Sequence, residues 1–390
     1  MKLISRIALV GASLFVASSA VFASNISAGQ TAAVGSWVYA NGTYMYVTPG
    51  SGYANQGEGA DASSTNSTAV TERTVAIEST KALTNIVMDH LDSVAPAPTP
   101  VAAGGNSGGS EHRFNTFFKG RWDKIKESFT NASWKADMWT AALGGDYKIN
   151  DNFIAGLAIN YSHLKGDTEF NKGKIKDHAW GIMPYVRAIL NDMFSFDVIA
   201  GYSRVNKDRT RKHLVATGAG DIDVNYKSSP KSDRYFISAF ANAKHQVQKV
   251  NLLGRLGIIH VEDRQKAFTE TGSNGVTYNY RSNTTKVTQA TLRAQAGIHA
   301  NEIVEPYIFL TYAYTLSASK MRVADSVTIS NTGGFTYKSP NDEKAKHQIG
   351  GGLGLNININ KNFSAKVEGN LTQAKKSKTY GATAGVVYKW

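Results

Sequence analysis

From residue 111 onward the sequence repeats one pattern, in which long segments alternate between apolar residues and small or polar ones. In 349–359, for example, Leu353, Leu355 and Ile357 lie at alternate positions, with Gly354 and Asn356 between them. A period of two is that of a β-strand whose two faces meet unlike surroundings. Segments of this kind begin near residues 112, 136, 152, 176, 193, 233, 249, 286, 303, 346, 362 and 379. The pattern predicts an all-β domain of twelve strands over 111–390.

The connections between these segments alternate between short and long. Three short ones contain asparagine and end on phenylalanine, namely Asn150-Asp151-Asn152-Phe153, Asn191-Asp192-Met193-Phe194 and Asn360-Lys361-Asn362-Phe363. Asparagine and aspartate favour tight turns because they tolerate positive φ. The long connections, at 164–175, 206–232, 263–285 and 319–345, are polar and charged. One rim of short turns and one of long loops is typical of an outer-membrane β-barrel, whereas a soluble β-sandwich has no reason to sort its loops in this way.

The two faces of the segments also fit a barrel in a membrane. Aromatic residues lie near both ends of the segments, as two girdles would: Tyr147, Phe153, Phe194, Phe363, Tyr388 and Trp390 at the short turns, and Tyr161, Tyr202, Tyr312 and Tyr314 at the opposite ends. Charged residues on the polar face would be costly against lipid. We therefore expect the following to line the lumen: Asp146, Arg187, Asp197, Arg255, Arg293, Lys366 and Glu368. The prediction is a 12-stranded antiparallel transmembrane β-barrel.

The N-terminus has the pattern of a secretory signal peptide. Lys2 and Arg6 precede a charge-free apolar run that extends to Val21. Small residues then favour cleavage between Ala23 and Ser24. After the signal, no stretch reaches the roughly 18 apolar residues of a membrane-spanning helix. The sequence thus predicts Sec export to the outer membrane of a Gram-negative bacterium.

The segment between the signal peptide and the barrel divides into three parts. Residues 24–67 form a short passenger-like stub with a predicted hairpin on Asn41-Gly42. Three roles are open for this hairpin: it packs on the barrel, it offers a strand edge to a partner, or it is the remnant of a passenger. Residues 68–94 contain neither glycine nor proline and carry an imperfect helical stripe. About 25 residues at about 1.5 Å each span about 37 Å, enough to thread a pore. The alternatives are an exported coiled coil and a periplasmic helix. Residues 95–110 are a Pro/Gly/Ser linker.

Composition and motifs limit the chemistry available to the chain. There is no cysteine, so disulfide and thiolate sites are excluded. The nine histidines are dispersed and lack metal-ligand spacing, and no Gly-x-Ser-x-Gly elbow occurs. The sequence predicts no catalytic site, no metal, no cofactor and no enzyme. The net charge of +13 is compatible with nucleic-acid binding, but export argues against such a partner.

The stretch MWTAALGGDYKINDNFIAGLAINYSHLKGD resembles the second and third strands of the autotransporter translocator β-domain. The matching residues are Trp139, Gly144 or Gly145, Asp146, Tyr147, Asn152, Phe153, Gly156, Ala158, Tyr161 and Ser162. The resemblance continues through FDVIAGYSRVNKDRTR and EPYIFLTYAYTL and covers 111–390. Two features depart from the family: Phe309 stands where an arginine is frequent, and only a short region precedes the barrel in place of a large passenger.

The resemblance implies that the helix 68–94 lies in the lumen and that the barrel displays or exports a short N-terminal segment. Two other functions remain open. One is a passive plugged pore. The other is a surface adhesin whose long basic loops meet anionic lipopolysaccharide or host glycans through Lys207, Arg209, Arg211, Lys212 and His213.

The last strand ends in TAGVVYKW. Thr383, Gly385, Tyr388 and Trp390 resemble the C-terminal signal that the barrel-assembly machinery recognises in this kind of protein. An unpaired last strand can add to a partner's sheet edge while alternate side chains fill pockets. The expected partners are this machinery, periplasmic chaperones, outer-membrane lipid and lipopolysaccharide, and the expected state is a monomer without nucleic acid.

Overall fold

The structure, a computed structural model, describes residues 36–40, 43–47, 67–94, 113–129, 133–217, 220–273, 275, 277–301, 303–319, 327–329, 333–335 and 346–390. The predicted signal peptide with Ala23 and Ser24, and the predicted linker, lie outside the described residues. Of the stub, strands β1 (Ser36–Ala40) and β2 (Thr43–Val47) are described, and they pair antiparallel with Ala40 opposite Thr43.

Twelve long antiparallel strands form the wall of a closed barrel, as the alternation predicts. They are β3 (Phe114–Glu127), β4 (Trp134–Asn150), β5 (Phe153–Thr168), β6 (Gly173–Ile189), β7 (Phe194–Thr217), β9 (Lys231–Val247), β10 (Val250–Gln265), β13 (Asn283–Ile298), β14 (Val304–Ala318), β17 (His347–Asn358), β18 (Phe363–Ala374) and β19 (Ser377–Lys389). The last strand pairs with the first, from Ser377 opposite Glu127 to Lys389 opposite Asn115. Closure removes the free edges that an open sheet would expose.

The outward face of this wall is apolar, and aromatic residues lie at both of its ends. Leu157 and Ile159 face outward, whereas the next residue, Asn160, is buried in the interior. At the long-loop ends, the rings of Tyr161 and Trp180 lie 4.5 Å apart, and Tyr202 packs against Tyr235 in the same way. Amphipathic rings at the two boundaries of an apolar band are typical of a barrel that meets lipid.

The short turns use asparagine differently from the prediction. Among the described non-glycine residues, positive φ occurs at Lys172, Gln248 and Lys376, and not at the turn asparagines. Asn191 instead accepts hydrogen bonds through its side-chain oxygen from the backbone N–H groups of Met193 and Phe194, at 2.9 and 2.8 Å. The same bonds recur at Asn360 and at Asn301. These asparagines act as turn acceptors, so the rim bearing them is here called the short-turn rim.

Three of the predicted long loops, at 164–175, 206–232 and 263–285, are wrong over most of their length, because the wall continues beyond the outer aromatic residues. Most of the connection predicted at 319–345 lies outside the described residues. The connection predicted at 164–175 is a single turn, since β5 runs to Thr168 and β6 begins at Gly173. The other connections contain β8 (Gly220–Ser228), β11 (Phe268–Gly272), β12 (Thr277–Tyr280), β15 (Val327–Ile329) and β16 (Gly333–Phe335). Strand ladders need only backbone hydrogen bonds, so polar residues on both faces do not end a strand. This end is here called the long-loop rim.

One helix, α1 (Ser67–Val94), runs through the interior of the barrel. It packs most closely against β3–β7, β9, β10, β13 and β19. Its apolar residues do not form one stripe, since Ala76, Ile86, Val87 and Leu91 are all fully buried. The wall encloses the helix on every side, and this is why an amphipathic pattern is only weakly visible in the sequence. No helix among the described residues is both long enough and apolar enough to cross a bilayer.

Candidate functional site in the barrel lumen

The C-terminal turn of α1 is held by a cluster of basic side chains at the short-turn rim. Asp92 forms ion pairs with Arg187 at 3.2 Å, with Lys244 at 3.6 Å and with Arg255. Arg187 also donates to the backbone carbonyl of Leu91 at 2.5 Å. Free carbonyls give a helix C-terminus partial negative charge. The basic cluster therefore neutralises both the carboxylate and the end of the helix.

Arg187 is itself fixed by a second carboxylate in the wall. Its guanidinium binds Asp197 in a bidentate pair, at 2.6 and 2.7 Å. Asn242 donates to Asp197 at 2.7 Å and accepts from Arg255 at 2.9 Å. Two planar hydrogen bonds give such a pair directional specificity as well as charge complementarity. Three of the predicted lumen residues, Arg187, Asp197 and Arg255, thus lie together in one network.

Asp146 of the wall contacts the helix at a second point. His90 of α1 contacts its carboxylate and stacks on Phe117, with ring centroids 4.2 Å apart. Asn115 donates to the same carboxylate at 2.8 Å and the Tyr185 hydroxyl at 3.3 Å. All five side chains are buried. A buried carboxylate with several donors is a satisfied one, so Asp146 binds the helix rather than facing an open channel.

The remaining predicted lumen residues, on β18 and β13, form a third contact with the helix. Lys366 binds Asp89 of α1 at 2.7 Å and lies 3.7 Å from Glu368. Glu368 in turn binds Arg293 at 2.7 Å and accepts from the Tyr307 hydroxyl at 2.9 Å.

The phenylalanine that departs from the family pattern also belongs to this contact. The Arg293 guanidinium lies over the Phe309 ring at 3.7 Å from its centroid. Phe309 therefore takes part in the lumenal network through a cation–π contact with an arginine of β13.

The N-terminal half of α1 is held at the long-loop rim. Glu72 binds Lys207 at 2.6 Å, and Lys207 also lies 3.5 Å from Asp263. Asp263 binds Arg234 at 2.6 Å, and Arg234 donates to Ser79 of the helix at 2.5 Å. The helix therefore has charged contacts with the wall at both ends. Glu72 at one rim and Asp92 at the other fix its direction through the barrel.

The acidic residues of α1 were not predicted as site residues, although one sequence signal was available. α1 has no basic residue in its last turn, where Asp92 lies close to carbonyls of like partial charge. Acidic residues near a helix C-terminus are unfavourable unless cations surround them. Asp89 and Asp92 therefore indicated basic partners elsewhere in the chain.

The basic cluster proposed for adhesion is mostly buried, which contradicts that role for it. Lys207, Arg209 and Arg211 point inward and bind carboxylates, the last two contacting Asp177 and Glu270 at 2.5 and 2.8 Å. Of the remaining two, Lys212 is exposed, and the side chain of His213 lies outside the described part of the chain. Buried, paired cations are not available to an anionic ligand.

The lumen is incompletely filled beside β13. A cavity of about 340 Å³ lies at the short-turn rim, one of about 90 Å³ at mid-height and one of about 40 Å³ towards the long-loop rim. Along β13, Gln295 lines the first, Arg293 the second and Gln289 the third. The three cavities are therefore stacked on one side of the helix.

The C-terminal residues singled out in the sequence alternate as expected for β19. Thr383 is buried, whereas Tyr388 and Trp390 face outward, with their rings 4.8 Å apart. Gly385 faces Lys119 across the seam, and a Cβ atom at this glycine would lie 2.1 Å from Cγ of Lys119. The backbone N–H of Trp390 donates to the carbonyl of Phe114 at 2.9 Å, which joins the two ends of the barrel.

Among the described residues, no three His, Asp or Glu side chains are placed so that they could bind one metal ion.

Comparison with known proteins was made for both sequence and structure. The family model described as Autotransporter beta-domain matches residues 116–370, more than half of the chain. No curated protein matches the sequence. The structure is similar to the translocator domain of the autotransporter NalP from Neisseria meningitidis, with a TM-score of 0.60 and 15% identity over 80% of this chain and 98% of that one.

Two further solved structures are similar to the chain. One is the β-domain of the Bordetella autotransporter BrkA, with a TM-score of 0.49 and 12% identity over 71% of this chain and 100% of that one. The other is the transport unit of the autotransporter AIDA-I from Escherichia coli, with a TM-score of 0.42 and 13% identity over 75% and 95%. At 15% identity, the likeness to the NalP translocator domain concerns the fold.

Proposed function

The chain belongs to the autotransporter β-domain family, and we propose from this premise that its barrel displays or exports the N-terminal segment at the cell surface. The family consists of outer-membrane barrels of type V secretion, which places the chain in a Gram-negative outer membrane. The export of a particular segment is the added step. The proposal assigns no catalytic reaction to the chain.

The direction of α1 is the observation that carries this proposal. Its N-terminal half binds Lys207 and Arg234 at the long-loop rim, and Asp92 binds Arg187 at the short-turn rim. The short turns of outer-membrane barrels face the periplasm and the long loops face the outside. The chain before Ser67 therefore joins the helix at the rim that we assign to the cell surface.

A protease-accessibility experiment in intact cells tests the proposal. An epitope placed at Asn41 is expected to be cleaved by external protease. The same epitope placed in the long connection 319–345 serves as the surface control, and one at Lys361 in a short turn serves as the periplasmic control. Protection of the Asn41 epitope alongside cleavage of the 319–345 epitope would contradict export.

We propose that assembly uses the last strand as its recognition element, with the barrel-assembly machinery and periplasmic chaperones as partners. Support comes from β19, which pairs with β3 along its whole length and would expose that edge before closure. Outer-membrane lipid and lipopolysaccharide are the partners that we propose for the apolar outer face, and we propose a monomer that binds no nucleic acid.

A plugged pore is the second candidate, and the stacked cavities beside β13 favour it. The Arg293–Glu368 ion pair lines the second cavity. Gln348 lines both the second and the third, and it accepts a hydrogen bond from Lys81 of the helix. Planar-bilayer recording of the full chain and of a chain lacking 68–94 distinguishes the candidates. Equal conductance of the two would show that α1 is not a plug.

A further inference from the structure

Lys119 of β3 is a buried cation without a hydrogen-bonding partner. Its side chain is 1% exposed, and its Nζ has no hydrogen-bond partner among the described residues. It lines the cavity of about 340 Å³ at the short-turn rim. Burying an ammonium group without a hydrogen-bond acceptor is unfavourable even when carboxylates lie at longer range. The position therefore lacks an acceptor for this ammonium group.

The surrounding strands hold Lys119 in place at the cavity. Lys366, Gly385 and Lys119 are register neighbours across β18, β19 and β3. Because Gly385 has no side chain, the aliphatic stem of Lys119 lies directly over it, with Cγ at 2.1 Å from where a Cβ atom would be. The ammonium group thus reaches the cavity over a glycine, with a second lysine beyond it.

A second unpaired donor lines the same space. The hydroxyl of Ser364 is buried and has no partner in the described part of the molecule. Ser364 precedes Lys366 by two positions on β18, so both side chains point to the interior. An ammonium group and a hydroxyl group that lack acceptors therefore face one cavity.

The charges lining the cavity favour an anion rather than a cation. Four lysines line it, Lys119, Lys244, Lys366 and Lys389, together with three carboxylates, Asp89, Asp92 and Glu305. Each carboxylate is already engaged: Asp89 by Lys366, Asp92 by three basic side chains, and Glu305 by Asn251 at 3.1 Å and by His299 at 3.6 Å. None of these carboxylates accepts a hydrogen bond from Nζ of Lys119.

We propose that this cavity is a binding site for a small oxyanion, a phosphate or carboxylate group that accepts hydrogen bonds from Lys119 and Ser364. The site lies inside the wall and opens towards the short-turn rim, away from the lipid-facing surface, so the anion comes from the aqueous phase. Charge-assisted hydrogen bonds to the ammonium supply most of the affinity. The site is independent of whether the N-terminal segment is exported.

Titration of the refolded full-length protein in detergent tests this site. Inorganic phosphate is followed by the broadening of its ³¹P signal, and acetate is added in a second series as a competitor, which distinguishes a general oxyanion site from a phosphate site. Lys119→Met is expected to weaken phosphate binding by about tenfold or more, the value of one charge-assisted hydrogen bond. Lys126→Met removes the same charge from the exposed face of β3 and is expected to leave binding unchanged.

Two further variants keep the test decisive if Lys119→Met does not fold, as judged by its heat-modifiable mobility. Ser364→Ala removes one hydroxyl and is expected to weaken binding several-fold. Gly385→Ala displaces the Lys119 stem and is expected to do the same. Absence of phosphate and acetate binding to the wild type, or equal weakening by Lys126→Met, overturns the proposal.

Discussion

Asp92 in the last turn of the lumenal helix lies 3.2 Å from Arg187 of the barrel wall, whose side chain is fully buried. The same arginine binds the wall carboxylate Asp197. One guanidinium thus joins the helix to the barrel wall and is itself fixed by that wall. This relationship makes the charge on Asp92 the most direct way to loosen the helix without altering the wall.

We expect Asp92→Asn to destabilise the seated helix by about 3 kcal/mol, because it leaves three basic groups with one carboxylate fewer in a buried site. Thermal unfolding in detergent and the frequency of large conductance steps in planar bilayers measure the effect. Asp151→Asn, at a turn carboxylate that is 90% exposed, is the matched control and is expected to change neither. Identical behaviour of the two variants would show that this cluster does not hold α1.

Gly385 is expected to be required for packing in the folded barrel, in addition to the recognition role proposed for the C-terminal strand. Gly385→Ala brings a Cβ atom against Cγ of Lys119, so the variant is expected to lose about 1–3 kcal/mol through overpacking. The measurement is the temperature at which heat-modifiable mobility is lost.

Shortening the opposing side chain separates the two roles of Gly385. The double variant Gly385→Ala with Lys119→Ala is expected to regain most of the stability lost by Gly385→Ala alone. If the second change restores nothing, the defect of Gly385→Ala lies in recognition before folding.

Deletion of Trp390 is expected to lower the amount of assembled barrel in the outer membrane. The residue is 61% exposed on the outer face and its backbone N–H closes the seam with Phe114. Loss of both removes a boundary anchor and the last hydrogen bond of the ladder. The heat-modifiable fraction in isolated outer membranes is the measurement, and wild-type assembly of the truncated chain would count against this expectation.

Asn360 distinguishes two explanations for asparagine in the short turns. Its side-chain oxygen accepts from the backbone N–H groups of Asn362 and Phe363. Asn360→Asp keeps this acceptor and is expected to retain stability, whereas Asn360→Gly loses it and is expected to cost about 1 kcal/mol. Unfolding in urea from detergent or lipid gives the comparison. The reverse order of the two variants would indicate that tolerance of positive φ is what the turn requires.

Arg211 is expected to stabilise the wall above the outer aromatic residues rather than to bind surface ligands. Its guanidinium is paired with Glu270 and lies 4.3 Å from the centroid of the Tyr226 ring. Arg211→Ser is expected to destabilise the protein by about 3 kcal/mol, since it removes one partner of a buried ion pair. The neighbouring exposed residue provides the control, Lys212→Ser, with no expected change. Thermal unfolding and binding to lipopolysaccharide, measured side by side, separate the two roles.

The sequence predicted the wall well because its pattern has a direct physical cause. An outward side chain meets lipid and an inward one does not, so Leu157 and Asn160 must differ in polarity. For the same reason Arg187 and Asp197 were recognisable as interior residues. Their partners on α1 were not, because pairing depends on the rotation and depth of the helix in the lumen, and neither is encoded in local periodicity.

The extended wall shows where alternation stops being informative. Beyond the outer aromatic residues no lipid imposes a difference between faces, so the segment from Lys207 to Lys212 has the composition of a loop although it is part of β7. The helix shows the opposite limit, since a wall on all sides removes the contrast that makes an amphipathic stripe visible. In both cases the local sequence does not show whether lipid, water or protein surrounds each face.

The hydrogen bond between Trp390 and Phe114 has a consequence for how such barrels change size during evolution. An even number of antiparallel strands returns the chain to the rim where it began, and at that rim the first and last strands meet. Duplication or loss of a single strand would put the C-terminus at the opposite rim and set the two seam strands parallel. Barrels that close in this way are therefore expected to gain or lose strands two at a time, as whole hairpins. Each new barrel circumference must still leave a lumen wide enough for α1.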